Sequence, residues 1–185
     1  MILATNNHDT KKPAKVQIIR NFLFFLNPYK PFSIPMRLED EIKTQKFQSQ
    51  THKAFLNVLL TASVLRAQVN AVIKPHGISH EQYNVLRILR GQKQEPICMS
   101  EISSRMLDKN SNVTRIMEKL IDKQLVIKYK SLCDHREVVA EISLLGLELL
   151  AKIDIEFELH QVHHSPLSEK EAERLNFLLE KMRNF

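Results

Sequence analysis

Apolar side chains recur at helical spacing through two short segments in the middle of the chain. The first segment opens at Ser100, a suitable N-cap, and its apolar side holds Ile102, Met106 and Leu107. The second follows the i, i+3, i+4, i+7, i+8 pattern with Val113, Ile116, Met117, Leu120 and Ile121. Because a polar turn at residues 108–110 separates them, the pattern predicts two short helices joined by a tight turn.

Two segments with period-two alternation follow, at residues 126–130 and 137–142, and they predict a pair of strands. Three apolar residues of the second strand share one face: Val138, Ala140 and Ile142. The polar stretch 131–136 between them is typical of a hairpin tip, and the short run 97–99 is predicted to be a third strand. This order predicts a winged helix-turn-helix, whose second helix fits the major groove of DNA.

A long amphipathic segment precedes this region. Its apolar residues step by three and four through residues 45–73: Phe55, Val58, Leu59, Ala62, Leu65, Val69 and Val72. The spacing predicts a long helix that Pro75 and Gly77 end. Ser79 and Gln82 then form a capping box, which predicts a further helix with Tyr83, Val85, Leu86, Ile88 and Leu89 on its apolar side.

Two more helices are predicted after the hairpin. Ser143 is expected to cap the first, whose apolar residues are Leu147, Leu150, Ile153 and Phe157. Ser168 and Glu171 form a second capping box, ahead of the apolar face Ala172, Leu175, Leu178, Leu179 and Met182.

Composition agrees with a helical protein, because the 185 residues include only three glycines and seven prolines. The formal net charge is +6, but residues 1–35 supply four of those charges, so the remaining part is nearly balanced. Binding to nucleic acid must therefore rest on where the charges lie. The two cysteines, Cys98 and Cys133, lack CxxC spacing, which argues against a disulfide scaffold or a zinc site and favours a reducing cytoplasm.

Four motifs occur in order along the chain: Ser111-Asn112-Val113-Thr114-Arg115, Leu125-Val126, Asp134-x-Arg136 and Ile142-Ser143-x-x-Gly146-Leu147-Glu148-Leu149-Leu150. Together they resemble the MarR family of bacterial transcription regulators, over residues 36–185. Two positions depart from the family pattern. Gln124 stands where the family commonly has a helix-ending glycine, and Leu144-Leu145 replace polar residues, which indicates extra packing there.

The resemblance implies a mainly α fold: a winged helix-turn-helix with long N- and C-terminal dimerisation helices and a small β-hairpin wing. It also implies a homodimer that binds double-stranded DNA. A small-molecule effector bound between the dimer arms and the winged domain would change the spacing of the two heads and release the DNA.

Four regions follow from this reading. Residues 36–78 are the N-terminal dimerisation helix, 79–143 the DNA-binding domain and 144–185 the C-terminal dimerisation helices. Residues 1–35 are an extension, either a start codon assigned too far upstream or a flexible basic arm that touches DNA phosphates. The apolar run at 18–26 is too short to span a membrane.

Nine residues are predicted to contact DNA: Ser100, Ser111, Asn112, Thr114, Arg115, Lys119, Asp134, His135 and Arg136. Arg136 at the hairpin tip can enter the minor groove or hold a phosphate, and Asp134 would orient it. Arg115 can pair with guanine. Structural alternatives remain for each group: Asp134 and Arg136 as a solvated charge pair, Ser111 or Asn110 as the N-cap, and Ser100 as a cap only.

Other chemistry has weaker support in the sequence. His160, His163 and His164 share a helical face, but no matching carboxylate or cysteine accompanies them, so a solvated cluster is expected rather than a metal site. Cys133 has charged neighbours that suit redox sensing, yet family members that sense peroxide carry their cysteine near the N-terminal helix. No catalytic motif or cofactor cradle is present in the sequence, which argues against an enzyme.

The sequence therefore predicts a cytoplasmic, sequence-specific regulator, a ligand-responsive repressor that binds a pseudo-palindromic operator and needs no cofactor, metal or membrane. The alternative is a winged-helix module that binds proteins and has lost DNA binding.

Overall fold

The structure, a computed structural model, describes residues 37–44, 46–93, 95–131, 137–160, 162 and 165–184. These residues belong to two compact units, one ending at Asn57 and the other beginning at Val58. The first unit holds a short helix and the start of a long one, and the second unit holds the remaining helices and the sheet.

Contacts around Glu39 organise the first unit. Helix α1, Leu38–Glu41, precedes the start of helix α2, Gln50–Ile73. Lys53 Nζ donates a hydrogen bond to the Glu39 carboxylate at 2.5 Å, and this bond is the main reason that the pKa of Glu39 falls to about 2. Because the ordinary value is 4.5, the stabilisation is complete above that pH and is lost as the pH falls towards 2. Ser49 caps α2, since its Oγ accepts a hydrogen bond from His52 N–H at 3.0 Å.

Helix α2 begins at Gln50, later than predicted, and ends at Ile73 as predicted. A 3-10 turn, Lys74–His76, follows, and Gly77 leaves it with a φ of 71°, a left-handed conformation that suits glycine. Val72 and Ile73 are the buried residues of α2, whereas Leu59 and Leu65 are about half exposed. Among the described residues, one segment, Gln50–His76, is long and apolar enough to cross a membrane by length and composition. A single helix of this kind is weak evidence for a membrane span.

Helix α3, His80–Gly91, forms the centre of the second unit. The predicted capping box is present: Gln82 N–H donates to Ser79 Oγ at 3.3 Å, and Ser79 N–H donates to Gln82 Oε1 at 3.0 Å. The buried apolar residues of α3 are Tyr83, Val85, Leu86 and Leu89. They belong to the core on which the following elements pack.

The helix-turn-helix and the hairpin follow in the predicted order. Helix α4 is Met99–Arg105 and helix α5 is Val113–Asp122. The strands are β1, Ile97–Cys98, β2, Val126–Lys130, and β3, Val138–Ile142. They form an antiparallel sheet in the order β1-β3-β2, in which Val126 pairs with Ile142 and Lys130 with Val138. The predicted third strand is therefore confirmed.

Helix α6, Leu144–His160, packs on α3, and helix α7, Glu169–Arg183, follows. Arg90 and Asp154 form an ion pair between α3 and α6 at 2.5 Å. The rings of Tyr83 and Phe157 meet edge to face with centroids 5.5 Å apart. The prediction of a mainly α winged helix-turn-helix fold is confirmed by these elements.

Two apolar predictions fail. Leu107 is 78% exposed, because α4 ends at Arg105 and Met106 is extended, so the helical repeat stops before Leu107. Leu144 and Leu145, which suggested extra packing, are 73% and 47% exposed in the single chain. The apolar pattern therefore predicted the buried residues Ile102 and Met106 correctly, but it did not predict where the helix ends.

A close backbone contact joins the start of α6 to the end of α5. A Cβ atom placed on Gly146 would lie 2.4 Å from the Leu125 carbonyl oxygen and 2.8 Å from Ile142 Cγ1. No side chain fits between these segments, so the glycine is needed for the approach.

We therefore expect Gly146→Ala to lower the free energy of unfolding by about 1–3 kcal/mol, because the added methyl forces the segments apart. Urea denaturation measures the change. Gly91→Ala is the matched control, since nothing lies within 4 Å of its Cβ position, and it should keep or slightly raise stability. Equal losses in both variants would contradict this account.

Candidate nucleic-acid interface

Helix α5, which we call the reading helix, begins with a side-chain cap. Asn112 is the N-cap residue, and its Oδ1 accepts a hydrogen bond from Arg115 N–H at 3.1 Å. The two capping alternatives considered from the sequence, Ser111 and Asn110, are therefore both wrong. Since Asn112 uses its oxygen for the cap, its amide nitrogen is the group left to face a ligand.

The turn before the reading helix is fixed by Asp108. Its carboxylate accepts a hydrogen bond from Asn110 N–H at 3.0 Å, and its carbonyl accepts one from Ser111 N–H at 3.2 Å. Leu107 N–H donates to Asn84 Oδ1 of α3 at 2.9 Å. The first two bonds fix the backbone of residues 108–111, and the third holds the turn against α3.

Helix α4 starts differently from the prediction. Cys98 is its N-cap residue, without a side-chain cap bond, so Ser100 lies inside the first turn and is not the cap. Ser100 Oγ lies 3.1 Å from Cys98 Sγ and is exposed. Arg105 pairs with Glu101 on the same helix. Ser100 therefore keeps an accessible hydroxyl at this end of α4.

The outer side of the reading helix is polar and basic, while its inner side is buried. Met117 and Leu120 are 1% and 0% exposed, and the polar residues Thr114, Arg115 and Lys119 are exposed. The predicted division between an apolar and a polar face is confirmed. Arg115 and Lys119 are one helical turn apart, so they present two cations along one line.

A cleft of about 600 Å³ opens beside these cations. Arg115, Lys119 and Lys123 line it together with Ser111 and Asn112, and the acidic side chains Glu81 and Asp108 lie on its edge. Among the residues that the structure describes, the buried Ser111 Oγ has no hydrogen-bond partner. Ser111, Asn112, Arg115 and Lys119 thus line one cleft, in which Asn112, Arg115 and Lys119 present hydrogen-bond donors suited to phosphate or base edges.

Lys123 belongs to the same helix end but is already engaged. Its Nζ donates hydrogen bonds to the Gly77 carbonyl and, at 3.2 Å, to the buried Gln82 Oε1. This lysine ties the end of the reading helix to the start of α3.

The strands β2 and β3 form the wing, and β2 adds cations that the sequence predictions missed. Lys128 and Lys130 are exposed and point to the same side of the strand, two residues apart. The signal was available in their alternation with Ile127 and Tyr129. The pKa of Tyr129 is raised, first because of desolvation and then because of Glu141.

Several predicted site residues lie outside the described residues. They include Asp134, His135 and Arg136, together with Cys133. His163 and His164 also lie outside them. Within the described ranges, no group of three or more histidine, cysteine or acidic side chains could hold a metal ion.

Known proteins with this arrangement were then compared with the chain. Residues 78–138 match the model of the MarR family. Among curated relatives, the HTH-type transcriptional regulator MhqR of Bacillus subtilis (strain 168) is 27% identical over 132 residues, which are 70% of this chain and 89% of the relative.

Solved structures show the same fold. A MarR transcription factor from Planctomyces limnophilus is 28% identical, with a TM-score of 0.53 over 75% of this chain and 98% of that one. A cysteine-to-serine mutant of E. coli MarR, crystallised with operator DNA, is 20% identical, with a TM-score of 0.62 over 75% of this chain and 99% of that one. At 20% identity the second likeness shows the fold alone.

The helix-turn-helix, the three-stranded sheet and the polar reading helix define a winged helix-turn-helix protein. The family match falls on this same region, residues 78–138. The chain therefore contains a MarR-family domain at residues 78–138, as the resemblance of its motifs predicted.

The observed cap leads to a stability prediction. Asn112→Ala should lower the free energy of unfolding by about 1 kcal/mol, because Arg115 N–H loses its acceptor. Asn112→Asp keeps an acceptor and should retain stability, as measured by urea denaturation. Ser111→Ala serves as the comparison, and a larger loss there than in Asn112→Ala would show that Ser111 carries the cap.

Proposed function

We propose that this protein is a sequence-specific DNA-binding transcription regulator that acts as a homodimer in the cytoplasm. The observation that carries the proposal is the exposed polar side of the reading helix, which presents Arg115 and Lys119, while β2 of the wing presents the exposed Lys128 and Lys130. Such a surface combines groups that can read base edges with cations that can hold phosphates. Ser111, Asn112 and Thr114 supply the shorter polar contacts, and Ser100 a backbone contact.

The family comparison supports the same function. E. coli MarR, which shares the fold, was crystallised with operator DNA. We assign the tip of the wing, with Asp134, His135 and Arg136, to the same interface on the basis of the family motif. Transcription regulators of this kind carry out no chemical reaction, so we do not assign an enzymatic role.

Exposed apolar surface on the terminal helices supports the dimer. Leu59 and Leu65 on α2 and Leu175 and Leu178 on α7 are 43–53% exposed in the single chain. Faces of this kind are typical of helices that are buried by a second copy. We therefore assign 36–78 and 144–185 to dimerisation and 79–143 to DNA binding. A two-fold dimer places two reading helices on a pseudo-palindromic operator about 34 Å apart.

A second cleft supports a small-molecule effector. About 620 Å³ in volume, it lies between the end of α2 and the start of α3 and is lined by Arg66, Asn70, Lys74, His80 and Glu81. The pKa of His80 is lowered by burial first and then by Arg66. The two cations Arg66 and Lys74 outnumber the single carboxylate of Glu81, so the cleft suits a small organic anion. Such a ligand would relieve repression if it binds better to the conformation of the dimer in which the spacing of the two reading helices does not fit DNA.

The test of DNA binding starts from duplexes that the full-length protein enriches from random-sequence DNA. Arg115→Ala should weaken binding to the enriched duplex about 5- to 150-fold and relax the preference at one base pair, because a bidentate contact to guanine is lost. Fluorescence anisotropy at one stated salt concentration measures both. Arg183→Ala on α7 removes the same charge elsewhere and should have little effect.

Arg136→Ala should instead weaken binding to enriched and random DNA alike and reduce the salt slope by about one ion, as expected for a phosphate contact. If wild-type protein binds enriched and random DNA equally weakly, the DNA-binding function fails. A winged-helix module that binds proteins then becomes the better description.

The dimer has its own test. Leu59→Glu should raise the dimer dissociation constant by more than about a hundredfold, because it buries an unpaired charge in the proposed interface. Sedimentation velocity measures the mass. Leu107→Glu makes the same change at an exposed leucine outside the terminal helices and should leave the dimer intact. A dimer that survives Leu59→Glu would place the interface elsewhere.

A further inference from the structure

The reading helix ends in a conformation that its sequence does not favour. Gln124 has a φ of 58°, in the left-handed region where glycine is the usual residue. Two backbone hydrogen bonds shape this turn, from Gln124 N–H to Ile121 O at 2.8 Å and from Leu125 N–H to Leu120 O at 2.9 Å. They form a Schellman motif. A non-glycine residue keeps such a conformation only where neighbouring groups hold it.

One neighbouring side chain, Ser143, holds this turn from the start of α6. Ser143 Oγ donates a hydrogen bond to the Gln124 carbonyl oxygen at 2.7 Å. Ser143 Oγ also accepts a hydrogen bond from Gly146 N–H at 3.0 Å and thereby caps α6. Ser143 N–H also donates to the Leu125 carbonyl oxygen at 3.1 Å. A single hydroxyl therefore joins the end of the reading helix to the beginning of α6.

The two helix ends are also in direct backbone contact. The Gly146 backbone approaches the Leu125 carbonyl so closely that a Cβ atom would lie 2.4 Å from it. No flexible side chain lies between them to absorb a movement. A tilt of α6 must therefore be followed by the end of the reading helix.

Helix α6 leads towards the proposed dimer interface. Ile155 and Leu159, near its C-terminal end, are 62% and 69% exposed in the single chain. In the dimer of the proposed function, the orientation of α6 therefore determines where each reading helix is placed.

We propose that Ser143 is a positioning residue for DNA recognition. Its hydroxyl fixes the angle between α6 and the reading helix, and so fixes the separation of the two reading helices in the dimer. This inference rests on the proposed function, because it concerns how that function measures the spacing of two half-sites. Ser143 does not touch DNA itself and acts through Gln124.

The chemistry of the hydroxyl allows its two roles to be separated. Serine and threonine can both donate and accept a hydrogen bond, whereas an ionised aspartate only accepts. Aspartate is also as good an N-cap as serine. Ser143→Asp therefore keeps the cap of α6 and removes only the bond to the Gln124 carbonyl. Ser143→Thr keeps both.

The experiment uses the full-length protein and the palindromic duplex that it enriches from random DNA. Two further duplexes carry one base pair added to or removed from the centre. Wild type and Ser143→Thr should prefer the enriched spacing over the altered ones. In Ser143→Asp, the ratio of dissociation constants between altered and original spacing should fall at least about fivefold, because the heads are less firmly oriented.

A matched control separates the loss of the hydrogen bond between Ser143 and Gln124 from the effect of the added negative charge. Ser49 caps α2 with the same 3.0 Å bond to a backbone N–H, and its hydroxyl makes no described bond to another helix end. Ser49→Asp should keep the wild-type ratio. Loss of net positive charge weakens binding to all three duplexes alike, so it cancels in the ratio. Thermal melting and sedimentation confirm that each variant is a folded dimer.

A wild-type ratio in Ser143→Asp would overturn the proposal, as would an equal fall in Ser49→Asp. If Ser143→Asp does not fold, the ratio is measured in the Gln124→Gly background, with Gln124→Gly alone as reference, because glycine supports the left-handed turn without the bridge. If wild type enriches no sequence, the proposed function fails and this inference fails with it. If wild type enriches a palindrome but Ser143→Asp retains its spacing preference, only this inference fails.

Discussion

Burial of the inner side of the reading helix is the interaction on which the candidate interface depends. Met117 and Leu120 are almost fully buried in the same core as Val85 and Leu86 of α3. Burying a side chain of this size stabilises a fold by about 1.5–3 kcal/mol. Because these residues fix the rotation of the helix about its axis, Arg115 and its polar neighbours on the other side are held towards solvent. The direction of these polar side chains is therefore a consequence of core packing, and it does not require that the polar side chains themselves make contacts.

Elements with strong periodicity could be predicted from the sequence, and most of them were. The helical stripe from Val113 to Ile121 shows which side of the helix faces the core, because the helical period ties sequence position to a face. In β3 the alternation was a weaker guide, since Val139, on the opposite face from Ala140 and Ile142, is buried as well. The ends of helices were predicted less well. Leu107 continues the apolar repeat of α4, yet the backbone leaves the helix at Met106. Periodicity shows that residues share a face only as long as the chain remains helical.

Capping residues show the same limit. Ser79, Ser143 and Ser168 were assigned correctly, because each stands alone before an apolar pattern. At the reading helix three adjacent polar residues compete, and the cap at Asn112 is shown by the hydrogen bonds of the folded turn and of Arg115 N–H. Those bonds depend on the folded path of the chain. The wing lysines Lys128 and Lys130 were not predicted, because the alternation of β2 places them on an exposed face but does not show what that face binds.

The hydrogen bonds of Lys123 change how the charge of the reading helix should be counted. Three cations stand on α5 and the residue after it, but the third, Lys123, donates hydrogen bonds to the carbonyl of Gly77 and a side-chain oxygen of Gln82. An ammonium group held by these two oxygens keeps its charge but is not free to bind a phosphate, and counterions leave DNA only where phosphates are neutralised. The salt dependence of DNA binding is therefore set by fewer cations than this motif contains. Part of the positive charge in this motif serves the protein's own architecture.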